Sequence, residues 1–196
     1  MTPSASSRVI VIVSAVLLAA FTRVIPHPNN FAPITAMALF GAATLRDKRL
    51  ALFTPLLSLF VSDLCIQVMF HMGWWPRPGI YSFMWIQYST ILFITVMGFL
   101  LRNHRSVLPI VGATLAGSII FFVVTNFGYW ATGNEYPHTG EGLLACYTAA
   151  IPFFRNSLLG DAVYSTVLFG GFALAEMYLP ALREHTSDPV PQKVQA

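Results

Sequence analysis

Long apolar stretches constrain this chain more than any other feature of its sequence. A transmembrane helix needs about 20 mostly apolar residues, and runs of this kind follow one another between Arg8 and Leu179. Of the 196 residues, 56% are hydrophobic and only 10% are charged, whereas soluble proteins carry about 25% charged residues. The short alternating strands of a membrane barrel are not seen in the sequence. We therefore predict an all-α integral membrane protein, embedded in a lipid bilayer, with one domain over residues 1–182.

Six spans and one extra outer helix account for the apolar runs. The second run is short, so we expect it to lie shallow in the bilayer or to be surrounded by its neighbours. The last run, Leu143–Leu179, is too long for one span, and we divide it near Arg155. The predicted spans are Arg8–Ile25, Phe31–Leu45, Leu50–Phe70, Ile80–Leu101, Val107–Trp130 and Arg155–Leu179, and the short outer helix is Leu143–Phe154.

The basic residues predict the orientation, because Lys and Arg accumulate on the cytoplasmic side of membrane proteins. With the N-terminus inside, eight of them lie inside and three outside. Both termini are therefore predicted to be cytoplasmic, with residues 183–196 as a disordered tail. The first residues resemble a signal peptide, but we interpret them as an uncleaved helix because the apolar run continues to Ile25. The inner residues are Arg8, Arg46, Lys48, Arg49, Arg102, Arg105, Arg183 and Lys193, and the outer ones are Arg23, Arg77 and Arg155.

Polar side chains concentrate in the outer third of this arrangement. At about 1.5 Å per residue, Asp63 and Asp161 lie about 9–10 Å below the outer ends of their spans. A charge in the bilayer core costs at least about 2.5 kcal/mol, so we expect both carboxylates to face an outward-opening polar cavity beside Arg155. A buried ion pair that only fixes helix packing is the alternative. The candidate ligand-binding residues are His27, Asn30, Asp63, His71, Tyr81, Asn126, Arg155, Asn156 and Asp161.

The outer loops also carry three histidines and many aromatic residues. His27 stands between Pro26 and Pro28, which fix φ and remove backbone donors, so we expect a stiff loop that presents this imidazole to a ligand. The spacing of the outer histidines is not that of metal ligands. Cys65 and Cys146 belong to no disulfide or metal motif, and no metal site is predicted. The outer aromatics are typical of an interfacial belt and would equally form a stacking wall for a flat ligand.

Three stretches carry a family resemblance: "RVIPHPNNFAPITAMALFGA", "PLLSLFVSDL" and "TNFGYW…YPHTGEGLLACYTAAIPFFRNSLLGDAVYSTVLFG". Nearly the whole chain resembles the S components of energy-coupling-factor (ECF) vitamin transporters, most of all their solitary cobalamin-transporting branch. The resemblance implies six helices and a vitamin, cobalamin or a related corrinoid, bound near the outer face. The loop 71–79 lacks the cysteine that can meet the cobalt in that branch. Binding roles are implied for His27, Asp63, Tyr81 and Arg155.

Small residues recur four apart on the first span, at Ala15 and Ala19. Such a face lets helices approach closely, which favours internal packing. The resemblance implies instead that this face docks on an ECF-type transmembrane partner. The net charge of +3 gives no reason to expect a nucleic-acid partner.

Three functions remain open at this point. The first is a multi-pass protein of the bacterial inner membrane that binds and takes up a vitamin-class small molecule. The second is a membrane enzyme that uses Asp63, Asp161 and His27, and the third is an accessory subunit of a larger membrane complex. The predicted cavity favours the first, and the lack of a catalytic motif weakens the second.

Overall fold

The computed structural model describes residues 3–183, and every regular element in this range is helical. The predicted tail lies outside the described residues, except for Arg183. The helices are α1 (Pro3–Phe21), α2 (Ile34–Thr44), α3 (Lys48–His71), α4 (Met84–Gly98), α5 (Val107–Thr132), α6 (Gly140–Ser165) and α7 (Gly171–Tyr178). Short 3-10 turns follow α1 (Thr22–Val24), α4 (Phe99–Leu101) and α7 (Pro180–Leu182), and a π-helical segment (Thr166–Gly170) joins α6 to α7.

Five helical segments in the described part of the chain are long and apolar enough to cross a membrane. This confirms the predicted class, an all-α membrane protein in a lipid environment. The segments are Ser6–Val24, Lys48–His71, Met84–Leu101, Val107–Thr132 and Gly140–Tyr178.

The predicted division near Arg155 is wrong, because helical structure continues without a break from Gly140 to Tyr178. Pro152 lies inside α6 and does not end it, since a helix in a membrane protein tolerates a proline where neighbours satisfy the freed backbone groups. At about 1.5 Å per residue, the 39 residues extend about 58 Å. A bilayer with its headgroups is about 40–45 Å thick, so the predicted outer helix is the continuation of the last span and not a separate element.

The short helix α2 lies at the centre of the bundle. Ten of its eleven residues are buried, and it contacts α1, α3, α4, α5 and α6. Its length of about 17 Å is well below the roughly 30 Å of the hydrocarbon core. Of the two expectations for the second apolar run, a shallow position or enclosure by its neighbours, the structure shows enclosure.

Arg102 closes the C-terminal end of α2. Its Nε donates to the Ala42 carbonyl oxygen at 3.0 Å, Nη2 donates to Leu45 O at 2.8 Å, and Nη1 donates to Arg46 O at 3.2 Å. The last carbonyls of a helix have no partner within the helix and carry partial negative charge. A guanidinium group satisfies several of them at once, which stabilises a helix end that lies inside the protein.

Contacts between helices define two ends of the bundle. At one end Arg8 pairs with Glu176 at 2.5 Å, and Arg105 lies 4.0 Å from the same carboxylate. Arg102 and Arg46 meet there as well, so we call this the basic end. At the opposite end, here named the aromatic end, lie the last turns of α3 and α5, the start of α4, and the loops 25–33, 72–83 and 133–139.

The small-residue face of α1 packs inside the protein. Ala19 is 7% exposed and belongs to the hydrophobic core, and Ala15 packs against the same core. The internal-packing interpretation is therefore confirmed. Ala15 is only half-buried, and docking of an ECF-type partner through this face stays a prediction.

Candidate functional site

A buried ion pair joins the end of α1 to α3. Arg23 Nη2 lies 2.7 Å from Asp63 Oδ1, and the two side chains are 12% and 3% exposed. Tyr88 donates its hydroxyl hydrogen to Asp63 Oδ2 at 2.7 Å, while Arg23 Nη1 donates to Ser62 Oγ and to Leu59 O. Arg23, Ser62, Asp63 and Tyr88 are called the ion-pair cluster below. Both carboxylate oxygens have a partner, as a buried charge requires.

Arg23 reaches the cluster from the turn after α1, and Ser62 and Asp63 reach it from α3. The 3-10 turn after α1 ends the first span and places Arg23 at the aromatic end. An arginine is long enough to extend its guanidinium along the apolar surface towards a buried partner. Ser62 and Asp63 are adjacent on α3, and both are buried, so one guanidinium reaches them together.

The loop 72–83 lies against α3 at the same depth. A side chain at Gly79 would place its Cβ 2.0 Å from the Asp63 carbonyl oxygen and 2.8 Å from the Gln67 amide nitrogen. Only glycine permits this approach. The next residue, Ile80, donates its N–H to Gln67 Oε1 at 2.9 Å. The loop is therefore fixed to the C-terminal half of α3 beside the ion-pair cluster.

The Tyr81 hydroxyl lies within the electrostatic field of the cluster. It donates to Gln87 Oε1. Burial raises the pKa of Tyr81 from 10.0 to about 12; the negative charge of Asp63 adds to this increase and the positive charge of Arg23 opposes it. Tyr81 thus stays a neutral hydroxyl throughout the physiological range, hydrogen-bonded to Gln87 beside the ion pair.

Aromatic rings continue from this region across the loops of the aromatic end. The ring centres of Tyr81 and Phe83 are 4.6 Å apart, those of Phe83 and Tyr129 are 5.2 Å apart, and those of Tyr129 and Tyr136 are 6.5 Å apart. On the other side, His27 lies 6.5 Å from Trp75 of the loop 72–83. Four separate segments therefore supply a wall of rings around the aromatic end.

The second buried carboxylate, Asp161, lies in a group of hydroxyls between α2, α5 and α6. Ser118 Oγ is 2.6 Å from Asp161 Oδ2, and Thr114 Oγ1 is 3.1 Å from Ser165 Oγ. Three further donors lie near the carboxyl group: the Thr35 hydroxyl and the backbone N–H groups of Thr35 and Ala36. None of them is both close enough and well enough aligned to form a hydrogen bond with it. Thr35, Thr114, Ser118, Asp161 and Ser165 are called the hydroxyl cluster below.

The prediction that Arg155 accompanies the two carboxylates is wrong. Arg155 is exposed, and Asp63 pairs with Arg23 instead. Its neighbour Asn156 points to the loop 25–33 and donates to Asn29 O at 2.9 Å. Asp63 contacts the turn after α1 and the helix α4, whereas Asp161 contacts α5 and α2. The two carboxylates therefore belong to two separate clusters and not to the single cavity that was predicted.

The other predicted residues occupy several positions at the aromatic end. His27 is half-buried, and its Nδ1 lies 2.8 Å from Pro28 O. Asn30 is exposed with φ of 64°, a left-handed conformation that asparagine tolerates. His71 Nε2 lies 2.8 Å from Gln67 Nε2, and Asn126 donates within α5 to Phe122 O. Tyr81 belongs to the loop 72–83 and His27 and His71 border it, whereas Asn30 and Asn126 do not join the ion-pair cluster.

Sequence reasoning missed three residues that matter most: Arg23, Tyr88 and Ser118. Arg23 had a signal, because it is one of three basic residues on the predicted outer side and it lies at the end of the first predicted span. Arg155 is close to Asp161 in the sequence, and this proximity led to the wrong partner. Tyr88 and Ser118 face the carboxylates only through the rotation of α4 and α5, which the sequence does not specify.

Comparisons with known proteins give the family but no activity. A search of curated proteins finds no match, and neither does a search of solved structures. A family model described as "Family of unknown function" matches residues 3–182, which is nearly the whole chain and includes both clusters. The chain therefore belongs to this family of unknown function, DUF6580.

Proposed function

We propose that the chain is a substrate-binding membrane transport protein, organised like an ECF S component, that takes up a vitamin-class small molecule through the aromatic end. The observation that supports this most is the ion-pair cluster beside the loop 72–83. Ionisable residues within membrane helices are costly and mark functional sites by default. Here they meet a wall of rings and a loop held in place by Gln67 and Gly79.

The chemistry of the region suits a flat ligand with polar groups at its edge. Small-molecule sites combine aromatic and apolar surfaces with a few placed polar groups. The rings of Trp75, Phe83 and Tyr129 offer the surfaces. The Tyr81 hydroxyl donates to Gln87 Oε1, so for a ligand the Tyr81 oxygen offers an acceptor and the Gln87 amide nitrogen offers a donor. Cobalamin or a related corrinoid is the ligand class that we propose, and carboxamide groups at its periphery would match these partners.

The enzyme alternative receives less support. It needs Asp63, Asp161 and His27 to act on one substrate. Asp63 is engaged by Arg23 and Tyr88, Asp161 by Ser118, and His27 lies beside Trp75. A binding function requires no such convergence.

We further propose six spans in the bacterial inner membrane, with the basic end and both termini in the cytoplasm. The enclosed α2 would be the sixth crossing, and the basic residues at one end favour this orientation. In a variant without Cys65 and Cys146, a cysteine placed at Asn134 should react with an impermeant thiol reagent in intact cells. A cysteine placed at Asp47 should not. The reverse labelling pattern would contradict the orientation and the outward-facing site together.

The transport proposal is tested on the gently purified full chain. Native mass spectrometry should reveal a co-purifying small molecule of the vitamin class, and a corrinoid would also show its visible absorption. His27→Ala should weaken binding of that molecule at least tenfold, about 1.4 kcal/mol, with little change in melting temperature. Arg77→Ala, an exposed change in the loop 72–83, is the matched control and should bind normally. Equal affinity of the two variants would remove His27 from the site.

A further inference from the structure

Asp161 is a buried acid for which the described residues supply no cation. Its side chain is 3% exposed, and Oδ1 has no hydrogen-bond partner in the described part of the chain. The ion pairs of the described residues involve Asp63 and Glu176 and not Asp161. Burying a carboxylate anion without a counter-charge costs far more than burying a neutral acid. Its position therefore favours the neutral form.

The hydroxyl hydrogen of Ser118 distinguishes the two charge states. Ser118 Oγ lies 2.9 Å from the Thr114 carbonyl oxygen and 2.6 Å from Asp161 Oδ2. Carbonyl and carboxylate oxygens only accept hydrogen bonds, so one hydroxyl hydrogen cannot fully serve both. If Asp161 carries a proton on Oδ2, that proton is donated to Ser118 Oγ, and Ser118 donates to Thr114 O. Each contact then has its own hydrogen.

Ionisable groups on the neighbouring elements do not favour the charged form of Asp161. The helix α2 contains none, and the only one on α5 is Tyr129, eleven residues beyond Ser118. On α6, Arg155 is exposed and Tyr164 donates its hydroxyl hydrogen to Thr22 Oγ1. In the preceding turn and loop, Arg23 is held by Asp63 and His27 lies beside Trp75.

A metal cation fits the site less well than a proton does. The N-terminus of α2 points at Asp161 through the N–H groups of Thr35 and Ala36, and Pro33 precedes them without a side-chain cap. The partial positive charge of a helix N-terminus repels a cation. The same N-terminus also favours a carboxylate anion, so the assignment of a neutral acid rests on the absence of a counter-charge among the described residues and on the single Ser118 hydrogen.

We propose that Asp161 is a proton-binding site, in which the neutral acid donates to Ser118 and directs Oδ1 at the N-terminus of α2. The site is also tied to the aromatic end. A Cβ at Gly160 would lie 3.0 Å from the Ala32 amide nitrogen, so the residue before Asp161 packs on the loop 25–33. Release of the proton would place an anion beneath this loop, and binding of the proton holds the loop and α2 in place. The inference does not depend on the transport function.

The test is infrared difference spectroscopy on the purified full chain, compared with Asp161→Asn. Between about pH 5 and about pH 8, the unaltered chain should show the carbonyl stretching band of a protonated, buried carboxylic acid, and the variant should lack it. Absence of the band from the unaltered chain throughout this range overturns the proposal. A band that vanishes when sodium replaces a bulky organic cation at fixed pH assigns the site to a metal ion and overturns it as well.

Thermal unfolding gives a second readout. Asparagine keeps an acceptor at Oδ1 and places an N–H donor where the acid donates to Ser118, so Asp161→Asn should melt at the same temperature as the unaltered chain below about pH 4, where the acid is neutral in both the folded and the unfolded chain, and no lower than it near neutral pH. The folded chain retains a proton that the unfolded chain loses above about pH 4. Stability of the unaltered chain should therefore fall as pH rises, and that of the variant should fall less. A large loss of melting temperature in Asp161→Asn at neutral pH would show that the anion is needed.

Discussion

Asp63 and Asp161 are both 2–3% exposed carboxylic acids on membrane helices, yet they are accommodated in opposite ways. Asp63 is neutralised by a cation, with Arg23 on one oxygen and Tyr88 on the other. Asp161 faces a helix N-terminus and hydroxyls, without a cation among the described residues. Equal burial therefore does not mean equal chemistry, and the partner of each acid decides its charge state.

The largest expected effect separates the two acids by removing the cation. Arg23→Met leaves Asp63 buried and unpaired, which should lower the free energy of unfolding by about 3–5 kcal/mol. Arg155→Met, a change at an exposed arginine, should alter it by less than about 0.5 kcal/mol. Thermal unfolding in detergent measures both. Combining Arg23→Met with Asp63→Asn should recover part of the loss, whereas simple additivity would mean that the pair does not interact.

Deleting one hydroxyl next to each acid sharpens the comparison. Tyr88→Phe removes a hydrogen bond to a charged acceptor and should cost about 1.5–3 kcal/mol, while Ser118→Ala removes one to a neutral group and should cost about 0.5–1.5 kcal/mol. The same unfolding measurement applies. If Ser118→Ala cost clearly more than Tyr88→Phe, Asp161 would be the charged acid of the two.

The loop 72–83 is found only over Asp63, and Gly79 tests how much this matters. Gly79→Ala forces the loop away from the Asp63 carbonyl oxygen and should cost about 1–3 kcal/mol, the usual range for overpacking. Gly112→Ala is the control, because a Cβ there meets nothing within 4 Å and a helical alanine gains about 0.5–1 kcal/mol. Similar melting temperatures for the two variants would mean that the loop does not need this contact.

The smallest expected effect is a change in the pKa of Tyr81. The charge of Asp63 contributes to raising this pKa to about 12, so Asp63→Asn should shift it towards 10.0, and Asp161→Asn should leave it unchanged. Absorbance of the phenolate at alkaline pH measures the shift. The difference between the unaltered chain and Tyr81→Phe gives the part of this absorbance that comes from Tyr81 among the seven tyrosines. A shift in Asp161→Asn equal to that in Asp63→Asn would mean that both acids act on Tyr81.

The helical membrane class followed from the sequence because lengths of apolar runs are local properties. The central position of α2 was also predictable, since a short apolar run has to be covered by protein. The division of the last helix failed, because Pro152 and a length of 39 residues do not by themselves stop a helix that extends beyond the bilayer.

The candidate site was only half predictable. The cost of a charge exposed to lipid predicted that Asp63 and Asp161 face the interior of the protein, and both are buried. Their partners depend on how helices rotate against one another. Arg23 precedes Asp63 by 40 residues and Ser118 precedes Asp161 by 43, and no local pattern joins such pairs.

The way in which α2 is enclosed has a consequence for biosynthesis. Arg102, which closes the C-terminal end of α2, follows Ala42 by 60 residues, and Asp161, which faces its N-terminus, follows Thr35 by 126. A ribosome therefore releases α2 well before either partner exists. An eleven-residue segment is also too short to partition into lipid by itself. Membrane insertion of α2 has to wait for the last helix, so a chain truncated after α5 should remain recognisable to quality-control proteases as unfinished.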